Sequence, residues 1–264
     1  MPNIEHVIKS QKRYFKSTHT LIAKTRAAYN IFTDYFKKSG LDNDSPRIFY
    51  AGHSSLDPLF RYGKDLPSYN FTNVFHAYGD SATKGTVPLI KCWMKHPEWP
   101  TLTILGNSNE EKLKGYSKPR NIKFLDTVGH AELGILQRES AIHIYPTESE
   151  GFGHALNEAR ASGALLVTSK FGPMNEFVED GYSGFLIDIK MFTVYDSQLF
   201  GEFGPVQVHM DSLNICKTMK KVFKTDMAER KRMGVAGRAG FLADRVYFKE
   251  TVKILRNEAM QFFQ

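Results

Sequence analysis

Cysteine, long apolar runs and, beyond the first forty residues, net charge are all scarce in this 264-residue chain. Only Cys92 and Cys216 occur, and neither lies in a Cys-x-x-Cys or Cys/His cluster. That spacing offers no metal site, and the expectation is a pair of reduced core thiols in a cytoplasmic protein. No stretch approaches the about 18 apolar residues of a membrane span, and the first residues lack the apolar segment of a secretory signal. The net charge of +7 is unevenly spread: residues 1–40 hold eight Lys/Arg against Glu5 and Asp34, which leaves +1 for the rest. The main part of the chain is therefore near neutral, no nucleic-acid partner is expected, and the basic character belongs to a leader.

The hydrophobic share of 42% and charged share of 24% suit a globular protein able to bury a sizeable core. From about residue 70 onward, strand-like and helix-like runs alternate. Strands are expected at 72–78, 101–105, 121–125, 141–145, 164–168 and 184–187, mostly as continuous apolar runs that suit strands covered on both faces. Pro88 fits a first helical turn, Ser108 and Glu111 have capping-box spacing, and Pro173 opens a short helix. Helices near 210–224, 228–239 and 246–262 close the chain. Such alternation predicts an α/β fold, a doubly wound, parallel, Rossmann-like sheet over residues 71–264.

Residues 1–70 read differently, as a basic helical leader and linker. Apolar doublets recur every seven residues at Val7-Ile8, Tyr14-Phe15, Leu21-Ile22, Ala28-Tyr29 and Tyr35-Phe36. Ser17-Thr18-His19-Thr20 are four weak helix formers in a row. The expectation is two helices with an extended piece near 20–25, then a short strand at 47–51.

The chemistry centres on ESEGFGHALNEA, residues 148–159, which follows the strand AIHIY. A helix that starts near Phe152 or Gly153 presents backbone N–H groups without intrahelical acceptors, together with the positive end of its dipole. Gly151 and Gly153 allow an anion to approach them, which makes a pyrophosphate seat. Phe152, Ala155, Leu156 and Ala159 share the face toward the sheet, while His154 and Glu158 stack one turn apart on a neighbouring flank. Glu158 can then accept both hydroxyls of a ribose, and Glu150 lies on the other side of the phosphates. Read on spacing alone, Glu158 is also explained as a solvated helix residue, Lys84 as a helix-start lysine, His154 as a capping or packing residue, and Glu176 as a carboxylate stabilised by a helix dipole. A dinucleotide fingerprint, and with it a nicotinamide-dependent dehydrogenase, fits worse: Leu156 stands where the third glycine belongs.

The segment from Thr72 to about Phe248 resembles the C-terminal, nucleotide-sugar-binding domain of retaining GT-B glycosyltransferases of family 4. The carriers are the E-x7-E motif EGFGHALNE, the run ASGALLVTS, then FGPMNEFVEDGYSGFLID, with Lys84-Gly85, NIKFLDTV and MGVAGRAGF in the family's order. The upstream HTLIAKTRAAYNIFTDYFKKSG and IFYAGHSSLDPLF resemble the last strand and helix of that family's N-terminal domain and its linker. The resemblance implies transfer of a sugar from a UDP- or GDP-sugar to an acceptor hydroxyl with retention. It assigns Glu158 to the ribose, Glu150 to the donor sugar and Lys84 to the diphosphate leaving group. Backbone at Gly151, Phe152, Gly153 and His154 would cradle the phosphates, backbone near Asp126 and Thr127 would read the base, and Glu176 joins the donor contacts. No metal cofactor is implied.

Two departures accompany it. Tyr78-Gly79-Asp80 stands where the family places a second phosphate-binding arginine, with Arg61 and Lys170 as substitute cations. Most of an N-terminal acceptor domain is also lacking, so the acceptor (glycan, lipid or protein) is open. A partner subunit or second copy engaged through residues 1–40, a compact enzyme, a fragment of something longer, and a non-catalytic nucleotide-sugar-binding module are the readings that follow. The leader suits either packing on the domain or another copy, or peripheral contact with an anionic membrane.

Overall fold

The computed structural model describes residues 12–38, 45–52, 54–57, 59, 70–79, 81, 83–106, 120–194 and 206–262. The leader begins with a 3-10 turn at Lys12–Ser17, then β1 (Thr20–Ala23), α1 (Arg26–Lys38) and β2 (Arg47–Tyr50). The expected break is present, and local chemistry explains it. The hydroxyls of Ser17 and Thr18 donate to the Tyr14 carbonyl at 3.0 and 2.8 Å and so compete with the helix for its own acceptor. Strands β1 and β2 pair in parallel, Thr20 opposite Arg47. Phe15, Phe32, Tyr35 and Phe36 form a small aromatic core beside them.

The main domain runs β3 (Asn70–Gly79), α2 (Thr86–Met94), β4 (Thr101–Gly106), β5 (Ile122–Leu125), α3 (His130–Glu139), β6 (Ser140–Tyr145), α4 (His154–Ser162), β7 (Leu165–Ser169) and β8 (Gly184–Ile187). All six strands are parallel in the order β5-β4-β3-β6-β7-β8. Every expected strand forms within two residues of its expected bounds. The continuous apolar runs are strands covered on both faces, and β6 is buried at all six positions. One core joins Val74, Leu102, Ile142 and Val167 to Trp93 of α2, and a second lies around Tyr145, Leu156, Leu166 and Phe177. Because β3 is first in sequence yet central in the sheet, the chain winds outward from it in both directions. The gap between β3 and β6 is a topological switch point, where ligands bind in open α/β sheets.

Three features differ from expectation. A hairpin of β9 (Met191–Val194) and β10 (Val206–His209) stands where no strand is expected. After α5 (Ser212–Lys224), the last two expected helices are one, α6 (Met227–Phe262), 36 residues long. The stretch AGFLADR between them contains Gly240 but no proline, and its Ala, Leu and Arg are good helix formers, so the one glycine does not interrupt the ladder. Third, Cys92 and Cys216 are not reduced thiols but a disulfide, with Cα atoms 5.6 Å apart. The pairing is made by helix packing, α2 against α5, across 124 residues of sequence, and spacing alone does not reveal it. The capping-box pair Ser108 and Glu111, Arg61 and the doublet Val7-Ile8 lie outside the described residues.

Helix α6 also ties the leader to the domain. The Tyr247 hydroxyl donates to the Tyr50 carbonyl at 3.1 Å, Thr251 Oγ1 to the Ala51 carbonyl at 2.8 Å, and Arg47 pairs with Glu258 at 2.8 Å.

Candidate functional site

The two loops that leave β3 and β6 meet at the switch point. The Thr83 carbonyl accepts the Glu148 N–H at 2.7 Å and the Thr147 hydroxyl at 3.2 Å. Gly85 has φ +66°, and a Cβ there would run into the Pro146 carbonyl oxygen. Only glycine accepts both that backbone and that approach. The packing carries Lys84 across to Glu150, and the two half-buried side chains form an ion pair. Residues 66 apart in sequence thus sit together.

Helix α4 starts at His154 behind Gly153, whose φ of +70° and contact with the Phe177 ring make it the turning point of the loop. Nothing on Gly153 itself caps the helix. Glu150 does so instead, accepting the Gly153 N–H at 3.3 Å through Oε2 while Oε1 faces Lys84. A carboxylate therefore occupies the positive end of α4, the chemistry expected of an anion seat. Around it, the Phe152 ring stacks on His154 at 4.0 Å between centroids, and Lys24 Nζ from the leader lies 4.4 Å from the Phe152 ring centre.

Glu158 lies one turn beyond His154 on α4, and its Oε2 accepts from Gln137 Nε2 at 2.6 Å. Burial pushes its carboxyl above the ordinary carboxylate range, while the Gln137 bond and the nearby His154 and His130 pull it down. Gln137 is itself buried, and its carbonyl accepts from His143 Nε2 at 2.9 Å. A carbonyl can only accept, so Nε2 carries the proton and Nδ1 faces the Tyr145 hydroxyl at 3.4 Å. His76 is held likewise beneath the switch point, with Nδ1 on the Ile144 carbonyl at 2.8 Å and Nε2 on Thr86 Oγ1 at 2.9 Å. Burial lowers both imidazoles to about 4, so both are neutral near pH 7.

Asp126 and Thr127 are exposed in the loop from β5 to α3. Glu176 holds the leader, its two oxygens accepting the N–H groups of Arg26 and Ala27 at 2.7 Å each, at the start of α1. Lys170 faces Asp188 at 3.7 Å on the exposed side. Sequence reasoning missed Gln137, His130 and Lys24, which reach the site from other elements with no motif to mark them. The hairpin also joins the wall, because the Met210 N–H at its end donates to Glu148 Oε1 at 3.0 Å.

Residues 73–192 match the sequence model of the family described as glycosyl transferases group 1. Over 97 residues the chain is 34% identical to the UDP-N-acetylglucosamine–peptide N-acetylglucosaminyltransferase GtfA subunit of Streptococcus pneumoniae, covering 35% of this chain and 19% of that protein. Among solved structures, Anabaena HepE in complex with UDP-glucose superposes with a TM-score of 0.65 at 17% identity, covering 96% of this chain and 69% of HepE. The GtfA/B complex superposes with a TM-score of 0.65 at 18% identity, over 96% of this chain and 48% of that one. The fold is that of the GT-B glycosyltransferases, and residues 73–192 carry the group 1 pattern. The chain spans about one fifth of the curated relative it matches.

Proposed function

We propose that the chain transfers a sugar from a nucleoside-diphosphate sugar, UDP- or GDP-linked, to an acceptor hydroxyl with retention of configuration. The observation that carries this is the meeting of Lys84, Glu150 and the N-terminus of α4 at the switch point between β3 and β6. The diphosphate displaces Glu150 from the Gly153 N–H and draws Lys84 to itself. Released, Glu150 turns to the donor sugar. Glu158, held by Gln137, accepts the ribose hydroxyls, and the loop at Asp126 and Thr127 borders the base. In the reaction, the bond from the anomeric carbon to the diphosphate breaks with its electron pair on the leaving oxygen. The acceptor oxygen forms the new bond on the same face, and its proton passes to the departing diphosphate. Lys84 and the α4 dipole stabilise the charge that grows there, a role that calls for no metal.

A donor-binding half that needs a partner chain is the second reading, favoured by the GtfA/B complex among the similar structures. A thermal-shift panel of nucleoside diphosphates and nucleotide sugars, followed by a hydrolysis assay on the best donor, tests both. Stabilisation by UDP or GDP with turnover supports the enzyme, and stabilisation without turnover supports the half-site. Absence of any shift contradicts both.

A further inference from the structure

A diphosphate brings roughly two to three negative charges to the tip of α4, and the helix end supplies only about half a positive one. Lys84, once drawn off Glu150, adds one, and the two together still fall short of the ligand's charge. The site as described is thus short of positive charge for the ligand proposed above. We propose that Lys24 is the missing cation, contributed by the leader and closing on the diphosphate from the Phe152 ring. The inference rests on the diphosphate reading of the Gly151–Gly153 turn.

The position of Lys24 is imposed by the chain on both sides of it. On one side, Ala23 ends β1 opposite Tyr50, and its carbonyl accepts the Ala51 N–H at 2.9 Å. On the other, buried Thr25 accepts the Ala28 N–H on its hydroxyl at 3.1 Å, and Glu176 of the main domain clamps the N–H groups of Arg26 and Ala27. Between these anchors the lysine stem crosses to Phe152, where its ammonium sits 4.4 Å from the ring centre. Phe152 is the residue between the two glycines of the turn. Lys24 is exposed and forms no ion pair among the described residues. An unneutralised ammonium on an aromatic face is weakly held, so it can move to a phosphate oxygen at little cost. Arg26, the neighbouring cation, is instead spread over the Tyr50 ring at 3.7 Å. The leader would then be a wall of the donor site, joined to it by Glu176, rather than a remnant.

Isothermal titration of UDP, GDP and uridine into wild type, Lys24→Met, Lys24→Gln and Lys24→Arg tests this. The expected result is an about tenfold loss of affinity for the nucleoside diphosphate in both neutral variants. Lys24→Arg should restore most of it, and uridine should bind all four alike. A purely structural contact between Lys24 and Phe152 would lower the melting temperature of the neutral variants without changing diphosphate affinity, and that outcome overturns the proposal. If wild type binds neither UDP nor GDP, the diphosphate reading itself falls and takes this inference with it. If wild type binds and every Lys24 variant binds the nucleoside diphosphate equally well, the reading stands and Lys24 has no part in it.

Discussion

Glu158 owes its raised proton affinity to burial on α4, and the single bond from Gln137 opposes that rise. The folded chain therefore holds this proton to higher pH than the unfolded chain does. Ionised, the group costs stability above the ordinary carboxylate range, and the cost vanishes as the pH falls toward about 4. Glu158→Gln should accordingly raise the melting temperature at pH 7 and leave it unchanged near pH 4, which a melting series across pH reads directly. The same carboxylate is the proposed ribose acceptor, so Glu158→Ala should weaken nucleoside diphosphates about tenfold, consistent with lost charged hydrogen bonds. Gln137→Leu should weaken the same ligands less while shifting their pH profile upward. Lys84→Met should lower kcat by about two to three orders of magnitude, as loss of a group that stabilises leaving-group charge does. A variant that lost only KM would place Lys84 in ground-state binding instead.

At the scale of elements, the contact that decides how the leader sits is Glu176 on the first two N–H groups of α1. Glu176→Ala leaves those donors without an acceptor and should cost about 1–2 kcal/mol of local stability. Hydrogen exchange should then quicken at residues 26–30 and stay slow across β6. Equal loss of protection in both places would mean that Glu176 supports the whole domain. This carboxylate shows how far the sequence could be read. The GPMNEF segment signals a helix start, and Glu176 does serve a helix dipole, but the helix is α1, some 150 residues away in sequence. What is periodic or continuous was legible: the six strands of the sheet, the glycine turn before α4, the break after Ser17. What depends on one element meeting another was not. The Cys92–Cys216 bond, the hold of Gln137 on Glu158 and the crossing of Lys24 to Phe152 leave no periodic trace. The β9–β10 hairpin was missed because its strands are four residues each and lack a tight-turn signature between them.

Across the molecule, the sheet is supported by two fully buried imidazoles, His76 and His143, on either side of the β3–β6 junction. Both are depressed to about 4, so the unfolded chain takes up protons that the folded chain refuses as the pH falls below about 6.5. Stability is full above that pH and is lost down to about 4, on the order of 3 kcal/mol for each histidine. Acid unfolding should begin near pH 6, and replacing His143 by Gln should flatten the slope between pH 6 and 4. The long α6, bonded to Tyr50, Ala51 and Arg47, keeps the leader on the same body as the site. Among the described residues no helix is long and apolar enough to cross a membrane.

The most direct measurement is a crystal structure of the chain soaked with UDP or GDP. The β-phosphate should lie against the N–H groups of Phe152, Gly153 and His154, with Lys84 drawn off Glu150 onto a phosphate oxygen and the ribose hydroxyls on Glu158. A nucleotide bound elsewhere, with Glu150 still capping α4 and paired to Lys84, would contradict the assignment of this turn as the diphosphate seat.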